Sequence, residues 1–352
     1  MPQAARRLGH AAPDSAFGTA STVASADHPL GSVASQLRRL TYRIAVTSFG
    51  STVDPASRAP VTIRQVSAAL QVGVNGTELF VEDSGERDLP PVLALHSLFL
   101  DGRMFDAFAD AAAGRYRVVR PDHRGQGRNP SSRSAIVTMD EVADDVETIV
   151  EELNLGPVHL LLSSMGGDVG LRFAARRPDH VRSMVLVGSS ARAEPEDQLE
   201  SFRAVVDDFR QRGFVDDLLE LLMQIMFSKT TLADASKAGL LSKYRAEFAA
   251  LPTGLAPALS GVVERTSVVH LLPTITVPTL VVTGAEDMPR PTEWADEMHE
   301  HLPDSQLWRL EGIGHSPLLE APEVVNPRVL AFFDAVEESR TATGQIKSHD
   351  DR

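Results

Sequence analysis

Apolar and polar positions along this chain follow two alternating rhythms. Nearly unbroken apolar runs occupy residues 92–96, 117–120, 158–163 and 181–188. Runs this continuous predict parallel strands covered on both faces rather than half-exposed ones. Between them lie stretches with helical spacing. Residues 138–153 open with Thr138, carry Glu141 three positions later as a capping box, and set Val142, Val146, Ile149, Val150 and Leu153 on one stripe. Residues 165–177 form a second predicted helix, stopped by Pro178. Upstream, residues 69–74 and 78–83 alternate in polarity and are joined by Asn75-Gly76, the pair favoured in tight hairpin turns. Strands alternating with helices predict a mainly parallel sheet with right-handed crossovers.

The alternation stops after Gly188. Residues 190–276 show helical spacing only, as in Phe202, Val205, Val206, Phe209 and then Leu218, Leu221, Leu222, Ile225. Strand and helix rhythm returns at 279–283, 291–302, 306–310 and 322–336. The predicted organisation is a leader over 1–60, a core begun by 61–189 and completed by 277–337, a helical cap over 190–276, and a mobile polar tail over 338–352. The leader is rich in Ala, Ser, Thr and Arg, with six arginines against three aspartates, and has neither an apolar signal core nor sustained amphipathic spacing. It reads as a disordered extension.

Composition narrows the function. The 352 residues include 48 acidic and 34 basic side chains and no cysteine. Without cysteine there is no disulfide framework, thiolate metal site or thiol nucleophile. A formal net charge of −14 opposes sequence-independent binding to nucleic acid, and no apolar run approaches the ~18 residues of a membrane span. The expectation is a cytoplasmic protein acting on a small neutral or apolar partner. Phosphate-binding glycine loops and His-Glu-x-x-His spacing are absent, so neither a nucleotide cofactor nor a metal is expected.

The most informative segment is Leu160-Leu161-Leu162-Ser163-Ser164-Met165-Gly166-Gly167, where an apolar strand runs through serines into glycines and a helix. A serine on such a sharp strand-to-helix turn is pushed out of the sheet edge beside a helix N-terminus that favours developing negative charge. On this segment alone the other reading is that the serines cap the helix while the glycines allow close packing.

Further segments resemble the α/β-hydrolase fold family over roughly residues 69–336, in the family's order. Ser164-Met165-Gly166-Gly167 resembles its nucleophile elbow. Residues 121–128, Pro-Asp-His-Arg-Gly-Gln-Gly-Arg, resemble the turn after strand four. The run from Pro278 to Asp287 resembles the strand ending in the triad acid, and Gly312-Ile313-Gly314-His315-Ser316-Pro317 resembles the histidine loop. The resemblance implies an eight-stranded, mainly parallel sheet with helices on both faces and a cap inserted after strand six. It assigns nucleophile, base and acid to Ser164, His315 and Asp287, with Glu286 as a rival acid. It also assigns the oxyanion-binding amides to Met165 and to Leu98 of His96-Ser97-Leu98. His96, Asp122 and His123 read as structural. Two positions depart from the pattern: Leu162 and Ser97 stand where the family has glycines. Phe99 and the cap residues Phe214, Leu218, Leu222, Met223, Met226 and Phe227 are candidates to line a substrate pocket.

The implied activity is a cofactor-independent serine hydrolase cleaving a small apolar ester or lactone through an acyl-enzyme. Residues 96–106 are similar to the matching segment of enol-lactonases. Carbon–carbon bond hydrolysis, perhydrolysis, or ligand binding on a silent scaffold are the alternatives.

Overall fold

The computed structural model describes residues 68–350. The predicted leader, residues 61–67 of the predicted core and the last two residues lie outside the described residues. The described chain opens with β1 (Ala68–Val74) and β2 (Thr77–Asp83), paired antiparallel. Asn75 and Gly76 both have positive φ, 32° and 81°, as a two-residue hairpin turn of this hand requires. Then follow β3 (Pro91–Leu95), α1 (Asp106–Ala112), β4 (Arg117–Pro121), α2 (Met139–Glu152), β5 (Val158–Ser163), α3 (Met165–Arg176) and β6 (Val181–Val187). The sheet is completed by β7 (Thr279–Gly284) and β8 (Ser305–Leu310) in the order β1-β2-β4-β3-β5-β6-β7-β8. All pairings from β4 to β8 are parallel.

Every residue of β3, β4, β5 and β7 is buried. That explains the unbroken apolar runs, since a strand covered on both faces has no side to leave polar. The Thr138 hydroxyl accepts the Glu141 amide at 3.1 Å, so α2 starts at the predicted cap.

Between β6 and β7 the chain is helical: α4 (Leu199–Arg212), α5 (Asp216–Met226), α6 (Lys229–Ala233), α7 (Ala238–Ala249) and α8 (Ala256–Val263) form the inserted cap. After β7 come α9 (Thr292–His301), α10 (Pro317–Glu320) and α11 (Pro322–Asp350). The last helix continues through residues 338–350, the segment read from sequence as a polar tail. No single described helix is long and apolar enough to cross a membrane.

Candidate active site

Parallel strands deliver their C-terminal ends to one edge, so the loops after β3, β5, β7 and β8 can meet there although they are remote in sequence. Ser164 links β5 to α3. Its backbone has φ 49° and ψ −111°, a conformation that a non-glycine residue adopts only when its surroundings impose it. They do so from both sides. The Ser164 amide donates to the Val187 carbonyl at 2.9 Å, and its carbonyl accepts from the Gly167 amide at 2.8 Å.

Close packing explains the composition around the turn. A methyl group at Gly166 would overlap the Leu95 carbonyl, so α3 can start this near β3 only with glycine there. Leu162, where the family pattern has glycine, is fully buried, and its two δ carbons occupy the space a methyl on Gly170 would fill. The bulk added at the strand is removed one helical turn further on. The sequence reading missed this role of Gly170.

The strained turn aims Ser164 Oγ at His315, to whose Nε2 it donates at 2.8 Å. On the far side of the ring, Nδ1–H donates to the Asp287 carboxylate, at 3.0 Å to Oδ1 and 3.1 Å to Oδ2. All three residues are buried. The rival Glu286 points elsewhere, accepting from the Thr230 amide and hydroxyl at 3.0 and 2.7 Å. The structure thus brings together the three side chains singled out by sequence.

Met165 is the first residue of α3, so its N–H has no acceptor within the helix. Leu98 lies in the loop after β3 and lines the cavity at Ser164. A buried framework holds that loop. His96 Nε2 accepts the His123 amide at 2.8 Å, and His96 Nδ1 donates to the Ser97 carbonyl at 2.8 Å. Burial lowers the pKa of both histidines, His123 the more strongly, so both are neutral hydrogen-bonding supports. Asp122 accepts the Gly102 amide at 2.9 Å and binds the Arg128 guanidinium at 2.8 Å. Burial raises its pKa, but the hydrogen bonds from Arg128 and the Gly102 amide, with the other favourable charges around it, together hold it below the ordinary carboxylate range. These residues brace the loops, as the sequence suggests.

The cavity beside Ser164 and His315 is walled by Leu98 and Phe99 from the core and by Phe214, Leu218, Leu221 and Met226 from the cap. Phe99 meets Phe214 edge to face, with centroids 5.1 Å apart. Phe99, Phe214 and Met226 are where the sequence reading puts them. Met223 and Phe227 are not. Met223, about 100° around α5 from Leu222, is buried in the cap. Phe227 ends α5 and packs on Tyr244 and Phe248, at centroid distances of 5.6 and 6.5 Å.

A buried charge cluster escaped sequence analysis. Arg290 donates to Asp168 at 3.2 Å and to Glu194 at 3.1 Å, while Arg265 binds Glu194 and approaches Asp168 at 3.6 Å. Burial, and then the charge of Arg290, lowers the Arg265 pKa. The Arg290 amide also donates to Asp287 Oδ1 at 3.0 Å, joining the cluster to the acid of the site. Its four members come from distant segments, and only the spacing Asp287-x-x-Arg290 gave a local signal. No group of three or more His, Cys, Asp or Glu residues placed to hold a metal occurs among the described residues.

Comparison with known proteins gives the family. The family described as alpha/beta hydrolase fold matches residues 90–322. The chain is 30% identical to a pimeloyl-acyl-carrier-protein methyl ester esterase of Neisseria meningitidis, covering 70% of this chain and 94% of that protein. It is 28% identical to a non-heme chloroperoxidase of Streptomyces lividans, covering 73% and 96%. Among solved structures, a thermophilic esterase from Thermogutta terrifontis superposes with a TM-score of 0.68 at 28% identity, over 77% of this chain and 99% of that one. The enol-lactonase from Burkholderia xenovorans shares the fold, with a TM-score of 0.68 at 22% identity over 75% and 100%. A hydroxyl, imidazole and carboxylate in line at the sheet edge, under a helical cap and within a matched family, place the chain in the α/β-hydrolase family, on its esterase-like branch.

Proposed function

We propose that this protein is a serine hydrolase that cleaves a small apolar carboxylic ester or lactone through an acyl-enzyme on Ser164. The observation that carries the reading is the continuous hydrogen-bonded line from Ser164 Oγ through the His315 ring to Asp287, ending at an apolar cavity. His315 Nε2 accepts the hydroxyl proton as Oγ attacks the carbonyl carbon, and Asp287 fixes the tautomer and stabilises the imidazolium that forms. The amides of Leu98 and Met165 receive the negative charge that develops on the carbonyl oxygen. Collapse breaks the ester bond, and the alcohol leaves with the proton from His315. Water then attacks the acyl carbon, giving its proton to His315, and the acid departs as that proton returns to Ser164.

The test is turnover of a panel of short-chain esters and lactones by the purified protein, with Ser164→Ala as control. Hydrolysis of at least one substrate class is expected, with kcat reduced about 10⁴-fold or more in the variant. Comparable turnover by Ser164→Ala would remove Ser164 from the nucleophile role. Perhydrolysis by the same triad is a second reading, favoured by the chloroperoxidase relative. It is separated from the first by peroxide-dependent halogenation of a chromogenic acceptor in carboxylate buffer.

A further inference from the structure

A second cavity, of about 390 Å³, adjoins the one at Ser164 and differs from it in chemistry. Its walls are the loop after β3 (Phe99 to Asp106), the turn after β4 (Gly125 to Ser131) and the cap from Lys243 to Leu255. Phe99 lines both spaces and is their shared wall. It has a left-handed backbone, φ 71°, so its side chain is placed there against local preference.

Polar side chains distinguish this second space. Gln126, 2% exposed, donates from Nε2 to Met165 Sδ at 3.3 Å, while its Oε1 is buried without a hydrogen-bond partner. That oxygen has no accessible surface, so a ligand in the cavity meets instead other polar side chains that line it, Asn129, Ser131 and Tyr244 among them. Tyr244 lines the same cavity, and burial raises its pKa, keeping the phenol protonated. The charges around the cavity are largely cancelled: Asp101 binds Arg103 at 2.6 Å, Asp106 binds Arg120 at 2.5 Å, and Lys243 lies four residues before Glu247 on α7. A polar cavity of balanced charge suits a neutral hydroxylated group.

We propose that this cavity is the subsite for the departing alcohol, and that the alcohol carries free hydroxyl groups. The proposal rests on the serine-hydrolase reading and names its substrate class, esters of an apolar acid with a polyhydroxylated alcohol. The acyl group occupies the apolar cavity at Ser164. The alcohol passes Phe99 and places a hydroxyl against the Tyr244 phenol.

The test compares two esters of one acid, 1-monohexanoylglycerol and ethyl hexanoate, on the full chain and on two variants. Tyr244→Phe deletes one hydroxyl, and Ala250→Trp fills the cavity from its exposed rim. For the unmodified protein, kcat/KM on the glycerol ester is expected to exceed that on the ethyl ester by about tenfold or more. Each variant is expected to remove most of that preference while leaving the ethyl ester within about twofold. Equal kcat/KM on both esters with Ser164 still labelled by an organophosphonate overturns the subsite alone, as does an equal loss on both esters in both variants. If neither ester is hydrolysed and Ser164 stays unlabelled, the catalytic reading fails and this proposal with it.

Discussion

At position 162 a leucine precedes Ser164 by two residues, where a glycine would give the turn more room. Its δ carbons fill the space beside Gly170, so the two positions form one steric unit across the strand and helix. Gly170→Ala is expected to overpack this contact and to cost about 1–3 kcal/mol. Leu162→Ala leaves a cavity instead and is expected to cost about 2–5 kcal/mol. The double variant should cost less than the sum by at least about 0.5 kcal/mol, which urea denaturation of all four proteins measures; strict additivity would show that the two sites are independent. Ser164, His315 and Asp287 were legible because each sits in a local motif. Gly170 was not, because its partner lies across a strand–helix crossing and no short-range pattern marks it.

For single elements, periodicity gave existence and approximate bounds but not orientation. α5 is apolar around much of its circumference, so spacing alone does not say which residues face the cavity. Packing decides: Leu218, Leu221 and Met226 meet the cavity, and Met223 the cap interior. The loop after β7 shows the same limit. Its acid was readable, whereas the clamp formed by Arg290 on Asp168 of α3 and Glu194 ahead of α4 exists only once three segments meet. Arg290→Met leaves two buried carboxylates sharing one guanidinium, and a loss of about 3–5 kcal/mol is expected in urea denaturation. A loss below about 1 kcal/mol would mean that the cluster contributes little to holding these segments together.

Across the whole molecule, the run of strands and helices was readable, and resemblance implied eight mainly parallel strands, while the order β1-β2-β4-β3-β5-β6-β7-β8 came only with the structure, since nothing local encodes which strands pair. Burial on this scale also sets a pH dependence. His159 of β5 lies against Ser183 and Phe333, and burial lowers its pKa to about 4, with Glu337 opposing. His96 and His123 are lowered by burial as well. These depressed histidines stay neutral in the fold while the unfolded chain takes up protons near pH 6.5. The stability they allow is therefore complete above that pH and falls as pH drops from about 6.5 towards 4. His159 alone accounts for up to about 3 kcal/mol of the fall. Urea midpoints measured between pH 7.5 and 4.5 are expected to decline in the unmodified protein and to decline less in His159→Gln. Parallel declines would assign the effect to other groups.

The most direct test of the central claim is intact-mass and peptide analysis after reaction with a fluorophosphonate. The expected result is one adduct per chain, located on Ser164, appearing in step with loss of ester hydrolysis and absent in a folded Ser164→Ala protein. An adduct on another residue, or full hydrolysis by a protein whose Ser164 is completely modified, would contradict the account.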